Sequence, residues 1–260
     1  MSDRPTHPFF DHPTPIPIAH QGGTTERLEN TLDAFAHAVA LGYRYLDVDV
    51  RVSADGVVVA FHDEDLRRLT GRPERIADLT WKELSEVELG AERAPILRLD
   101  ELLDRWDEHR FLIEIKTLRA VDPLAEVLRS TSAASRVCVA AFSDRTTARL
   151  RRAIPDAAQS VGRVGTGLRW LAGLAGLGPG SGADVMHPPL RQELGPFTVT
   201  VVTERFVRSA HKAGLRVLPW TIDDPADMAH LIGLGVDGIN TGSPTLLRDV
   251  LTEAGLWVGS

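Results

Sequence analysis

Asp47 and Asp49 stand two apart in Tyr45-Leu46-Asp47-Val48-Asp49-Val50, so in an extended strand both point to one face while Leu46, Val48 and Val50 point to the other. Two carboxylates side by side in an apolar strand repel each other and are costly to bury, so something cationic must sit beside them. Glu114 sets the same problem in Phe111-Leu112-Ile113-Glu114-Ile115-Lys116, where Glu114 and Lys116 share a face. Aimed at one region, Asp47, Asp49 and Glu114 would form an oxygen-rich site for one divalent cation, Mg²⁺ or Ca²⁺. The alternative is that Glu114 simply pairs with Lys116 or Arg51.

Two histidines close β-rich runs: His20 ends Ile16–His20, and His62 follows Val57–Phe61. Imidazole titrates near neutral pH, so beside a metal one ring can serve as base and the other as acid. A hydrogen-bonded structural histidine is the competing reading for each taken singly. His187 ends a strand before Pro188-Pro189 and is placed to line a pocket. Trp220, in Leu218-Pro219-Trp220-Thr221, either walls a substrate site or fills the core. His7, His12, His37, His109, His211 and His230 receive no role.

These residues need strands to hold them. Apolar β-rich runs at Ile16–His20, Tyr45–Val50, Phe111–Lys116, Val137–Phe142, Gln159–Gly162, Ala183–His187, Val217–Thr221 and Gly238–Thr241 alternate with helix-period segments near Asn30–Leu41, Pro123–Ser130, Asp144–Ala153, Thr203–Ala213, Pro225–Leu234 and Ser243–Glu253. Eight strands with intervening helices are the pattern of an α/β (β/α)8 TIM barrel, whose active sites form at the C-terminal ends of the strands. The Asp55-Gly56 turn returns Val57–Phe61 as a hairpin arm. Asp63 to Asp107 is too long and charged for a βα loop and reads as an insertion over one mouth of the barrel, and residues 1–15 read as a tail. Leu171–Gly182 is Gly-rich, but with no Gly-Lys-Ser or Gly-Lys-Thr after it the segment reads as a loop and not a phosphate cradle.

Composition bounds the partners. The 260 residues fit one barrel domain; 29 Lys and Arg against 36 Asp and Glu give a net charge of −7, with no basic stripe to neutralise a nucleic-acid backbone. The one cysteine, Cys138, lies mid-strand and reads as a core thiol. No stretch approaches about 18 apolar residues, so no stable membrane insertion is expected, and the chain reads as a cytoplasmic protein.

The ordered motifs His20-Gln21-Gly22, Glu29-Asn30-Thr31, Asp47-Val48-Asp49, Asp55-Gly56, His62-Asp63-Glu64-Asp65-Leu66 and Glu114-Ile115-Lys116, followed by Pro219-Trp220-Thr221 and Asn240-Thr241-Gly242-Ser243-Pro244, resemble the bacterial glycerophosphodiester phosphodiesterases from about Ile16 to Val250. The resemblance implies a barrel that hydrolyses a small-molecule phosphodiester to glycerol 3-phosphate and an alcohol. By the same resemblance Asp47, Asp49 and Glu114 are metal ligands, His20 and His62 are general acid and base, and Lys116 binds phosphate or its substituents. Four positions depart from the family pattern. Gln21, expected with Lys116 and Trp220 among the substrate-binding residues, replaces an arginine that grips phosphate, Asp47 replaces a glutamate, Leu28 a proline and Gly242 an aspartate.

Other readings stay open beside this one. The same chemistry on a lysophospholipid-like diester needs an exposed apolar rim, which the charged Asp63–Asp107 segment does not offer. A catalytically impaired barrel that only binds a ligand would follow from Gln21, Asp47 and Gly242. An unrelated barrel isomerase or aldolase explains the fold but not the ordered motifs.

Overall fold

The computed structural model describes residues 7–162, 165–167 and 182–259. Its strands are β1 (Ile16–Ala19), β2 (Tyr45–Val52), β3 (Val58–Ala60), β4 (Glu88–Leu89), β5 (Ala94–Pro95), β6 (Leu97–Arg98), β7 (Arg110–Ile115), β8 (Val137–Ala140), β9 (Ala158–Gln159), β10 (Val185–Met186), β11 (Arg191–Leu194), β12 (Phe197–Thr200), β13 (Arg216–Val217) and β14 (Gly238–Thr241). The helices are α1 (Leu32–Ala40), α2 (Arg67–Thr70), α3 (Trp81–Leu84), α4 (Leu99–Arg105), α5 (Val121–Ser130), α6 (Asp144–Ala153), α7 (Glu204–Lys212), α8 (Pro225–Gly233) and α9 (Pro244–Glu253).

Parallel pairing runs β14-β1-β2-β7-β8-β9. A parallel bridge from Ser160 to Val185 carries it on to β10, which pairs with β13. The ring closes where Asp237 N–H donates to Val217 O at 3.0 Å and Asn240 N–H to Pro219 O at 3.0 Å. These are the eight strands expected from the sequence, closed as a (β/α)8 barrel. Several regular ladders stop short of the apolar runs that announced them, and single backbone bonds carry the pairing further, as from Leu218 N–H to Met186 O at 2.9 Å and from Trp220 N–H to Pro188 O at 3.2 Å.

Alternation along the strands separates two cores. Outward residues such as Leu46, Val48, Ile113 and Val139 pack under α1, α4, α5 and α6. Inward residues Ile16, Ile18, Tyr45, Leu112, Cys138, Ala158, Val185 and Leu218 fill the barrel, and Cys138 is fully buried among them. Residues 7–15, read as a tail, instead close the N-terminal end of the barrel: Phe9 and Phe10 join the interior cluster, and Tyr45 donates its hydroxyl to Phe9 O at 2.6 Å. Two adjacent phenylalanines have more apolar surface than an exposed tail can leave in water.

The hairpin after the Asp55-Gly56 turn is present, with β3 antiparallel to β2. The segment from Asp63 to Asp107 divides. Leu99, Leu102 and Leu103 of α4 are buried in the outer helix layer, so α4 belongs to the barrel. The remainder surrounds its own small core of Phe61, Leu66, Ile76, Leu84, Val87, Leu89 and Ile96, against which Leu28 packs. It flanks the mouth: Arg68 grips Glu29 of the β1–α1 loop with two bonds of 2.8 and 2.6 Å. The opposite rim carries an element the sequence reading passed over, the β11–β12 hairpin, anchored by Arg191 on Asp227 at 2.7 Å. The Gly-rich loop expected at Leu171–Gly182 lies outside the described residues except for Gly182.

Candidate active site

At the C-terminal mouth is a cavity of about 620 Å³ lined by His20, Asp47, His62, Glu114, Lys116 and Asn240 on one side and by Phe142, Ser160, Val161, His187, Val199 and Trp220 on the other. The parallel register of β2 and β7 makes Asp49 and Glu114 direct partners, so both carboxylates meet at the mouth. Lys116 joins them, its ammonium 2.9 Å from Asp49 Oδ1 and hydrogen-bonded to Glu114 Oε1. The cation required beside the in-strand acids is therefore Lys116, and the pairing of Glu114 with Lys116 left open in the sequence is present.

His20 Nδ1 lies 2.6 Å from Asp47 Oδ2, which also accepts Asn240 Nδ2–H at 2.9 Å. Burial works against charge on His20, but the hydrogen bond and charge of Asp47, with the charges of Asp49 and Glu114, leave its pKa raised. Burial likewise opposes ionisation of Asp47, yet His20 and Asn240 hold its carboxyl below the ordinary value. Asp49 is raised, chiefly by burial. Glu114 is pushed up to about 7 by burial and by the charges of Asp49 and Asp47, which Lys116 only partly offsets.

His62 forms a second dyad, its Nδ1 2.7 Å from Asp63 Oδ1. Arg68 Nε donates to the other oxygen of Asp63 at 2.6 Å, which links the dyad to Glu29. Arg51 Nε donates to His62 O at 2.9 Å and so positions this loop without facing the cavity. In both dyads Nδ1 is occupied and Nε2 is the ring nitrogen left for the cavity.

Gln21 is not brought into the cavity. Its side chain is buried and its amide donates to Asp49 Oδ2, behind the acid cluster, on a left-handed backbone with φ of 51°. The neighbouring Asn30, also at positive φ, presents Oδ1 to Asp49 N–H at 3.2 Å. Trp220 does wall the cavity, packing edge-on to Phe142 with centroids 5.7 Å apart. At Gly242 a Cβ would come within 2.5 Å of Thr24 Oγ1, and Asp223 already brings its carboxylate to this turn, accepting Gly242 N–H at 2.7 Å and Thr241 Oγ1–H at 3.0 Å.

Asp47, Asp49 and Glu114 offer oxygen donors only, the set a hard cation takes, and the raised Glu114 marks a cluster short of positive charge. By donor type and by charge the residues fit a divalent ion. Among the described residues no three His, Cys, Asp or Glu side chains are already closed to metal-binding distance, because Lys116 stands between Asp49 and Glu114 while His20 and Asn240 engage Asp47.

The model of the glycerophosphoryl diester phosphodiesterase family matches residues 20–161 and 185–246, which carry every group named above. The chain belongs to that family. Its (β/α)8 mouth with two His–Asp dyads is thus the mouth of a phosphodiesterase. A Mycobacterium tuberculosis protein named "Probable glycerophosphodiester phosphodiesterase 2" is 37% identical over 268 residues, covering all of both chains. A glycerophosphodiester phosphodiesterase from Caldanaerobacter subterraneus is 27% identical over 92% of this chain and 98% of its own. The crystal structure of the Thermotoga maritima glycerophosphodiester phosphodiesterase superposes with a TM-score of 0.70 at 27% identity, covering 92% of this phosphodiesterase and 99% of that one. Among the described residues no helix is long and apolar enough to cross a membrane.

Sequence reasoning missed Asp63 and Arg68 as supports of His62, Asn30 and Asn240 as supports of Asp49 and Asp47, and Ser160 beside His187. Asp63 and Asn30 stood inside the ordered motifs, which were a signal for them. Asn240 also stood in a quoted motif, but its place beside Asp47, like that of Ser160 beside His187, comes only with barrel closure.

Proposed function

We propose that this phosphodiesterase hydrolyses glycerophosphodiesters to glycerol 3-phosphate and a free alcohol, with His20 and His62 as the proton-transfer pair and a divalent cation held by Asp47, Asp49 and Glu114. The observation that carries the reading is the pair of dyads, His20–Asp47 and His62–Asp63, whose rings line one cavity with Lys116. In hydrolysis the attacking oxygen loses a proton as its bond to phosphorus forms, and the departing alkoxide gains one as its bond breaks. Nε2 of one histidine takes the first proton and Nε2 of the other supplies the second, each ring kept in one orientation by the carboxylate on Nδ1. Lys116 binds phosphoryl oxygen, releasing part of its pairing with Glu114 to do so. The cation, when bound, neutralises charge on the phosphoryl oxygens and polarises phosphorus. Gln21 supports Asp49 and leaves phosphate contact to Lys116; the arginine implied by the family resemblance is not replaced in kind.

The test is release of glycerol 3-phosphate from glycerophosphocholine and glycerophosphoethanolamine in EDTA and again with Mg²⁺, Ca²⁺ or Mn²⁺ restored. Release that returns with metal supports the reading. No release with any metal from folded protein overturns it.

One observation favours a second reading, the same reaction on a single-chain lysophospholipid. The outer wall of the cavity is apolar, formed by Phe142, Val161, Val199, Val201 and Trp220, and Phe142 and the nearby hairpin residue Phe197 are 46% and 71% exposed. The apolar rim sought in the charged insertion thus stands across the mouth from it. Choline release from lysophosphatidylcholine at a rate matching that from glycerophosphocholine would support this reading.

A further inference from the structure

Opposite the acid cluster the mouth is built for a different kind of contact. Small residues at the ends of β8 and β9, Ala140 and Ser160, leave room, and behind them His187 follows β10. The peptide of His187 is fixed from one side, its carbonyl accepting the Trp220 indole N–H at 2.8 Å. Its ring is fixed from another, Nδ1 lying 3.1 Å from Ser160 Oγ. Ser160 has one hydroxyl proton and gives it to Val161 O at 3.2 Å. With that proton on Val161 O, Ser160 meets the imidazole as an acceptor, and the ring proton is assigned to Nδ1.

That tautomer leaves Nε2 as an unprotonated acceptor. It is buried, belongs to a residue lining the cavity, and has no hydrogen-bond partner. Burial, opposed only by the charge of Asp47, lowers the ring's pKa to about 4, so the ring is neutral at physiological pH. A neutral acceptor has nothing to offer a phosphoryl oxygen, whereas a buried acceptor without a donor costs free energy until one arrives. The donors that every glycerophosphodiester carries, whatever its alcohol, are its glycerol hydroxyls.

We propose that His187 is a specificity residue whose Nε2 accepts a hydrogen bond from a glycerol hydroxyl of the substrate, on the side of the mouth facing the histidine and acid cluster. This rests on the reading that the substrate carries glycerol. A site that hydrogen-bonds a hydroxyl discriminates against the analogue lacking it, because the acceptor is then left unpaired.

The test is titration calorimetry in Mg²⁺ buffer with sn-glycerol 3-phosphate and with n-propyl phosphate, which has the same phosphate and three carbons but no hydroxyl. Wild type is expected to prefer glycerol 3-phosphate by about tenfold or more. His187→Leu should bring the two ligands within about twofold by weakening glycerol 3-phosphate alone, while His187→Gln, which keeps an acceptor, should retain part of the preference. No preference in wild type, an unchanged preference in His187→Leu, or equal loss of both ligands with no preference in His187→Gln would overturn the proposal. The ratio is read without turnover, so a failure to hydrolyse glycerophosphocholine would count against the proposed activity and leave this assignment to be judged by binding.

Discussion

Asp49 on β2 and Glu114 on β7 are register partners across a parallel ladder, and the Lys116 ammonium sits with both, 2.9 Å from Asp49. A monovalent cation thus spans two carboxylates while a third, Asp47, is held by His20. The arrangement balances only part of the negative charge, and its consequences can be measured.

Glu114 titrates near pH 7 in the folded protein, against an ordinary value of 4.5, because burial and Asp49 disfavour its charge. A carboxyl whose folded pKa is raised contributes stability that is complete below the unfolded pKa and is lost as pH rises through the folded one. Metal-free protein should therefore lose stability between about pH 4.5 and 7, and Glu114→Gln should abolish that part of the loss. Added Mg²⁺ or Ca²⁺ should raise Tm more at pH 8 than at pH 6, by several degrees at about 100 times its Kd. Thermal unfolding at the two pH values checks both; a Tm indifferent to metal at pH 8 would count against the ion site.

His20→Asn and His62→Asn should each lower kcat by about 10²–10⁴ while leaving the metal-induced rise in Tm in place. Asp63→Asn, which keeps the shape beside His62 but removes the charge that orients it, should have a smaller effect of about tenfold or more. Initial rates of glycerol 3-phosphate release measure all three.

Gly22 holds a φ of +87°, and a Cβ there would come within 2.7 Å of Ala34 C and 2.8 Å of Phe35 N at the start of α1. Those are backbone atoms of a packed helix and cannot move aside cheaply. Gly22→Ala should cost about 2–3 kcal/mol from strain and overlap together. In a chain of this size that lowers Tm by about 5 °C or more. Because His20 and Gln21 share this turn, activity should fall at temperatures where the variant is still folded, as a rate assay at 20 °C would show.

His211 Nε2 lies 2.8 Å from Asp237 Oδ2, which also accepts Val217 N–H at 2.8 Å. The hydrogen bond and charge of Asp237 raise the histidine's pKa above 6.5. A histidine raised in this way stabilises fully below its unfolded pKa and loses that contribution as pH rises through the folded value. The ring is 42% exposed, so solvent screening keeps the effect below about 1 kcal/mol. His211→Gln should lower Tm at pH 5.5 by up to about 3 °C and by less at pH 8.5.

Local order in the chain was enough to read the eight strands, because apolar β-rich runs and helix-period segments are properties of neighbouring residues. It was enough to read the acid pair too, since Asp47 and Asp49 share a face of any strand. The plug of Phe9 and Phe10, the barrel helix α4 and the β11–β12 hairpin were harder, because each is defined by what it packs against. The hairpin did leave a trace, a Gly195-Pro196 turn between two runs of four residues.

At the mouth the division is sharper. Residue types and spacing determined that histidines and carboxylates would gather at the C-terminal ends of the strands. Only the tertiary structure decided which groups meet: the β2–β7 register set Asp49 beside Glu114, and closure of β14 on β1 brought Asn240 to Asp47 across 193 residues of sequence. The same packing turned Gln21 inward to Asp49 and left His187 Nε2 buried and without a partner in a residue that lines the cavity. The physical reason is that hydrogen bonds and ion pairs act over about 3 Å, and no local pattern states which distant side chains the closed barrel will place within that reach.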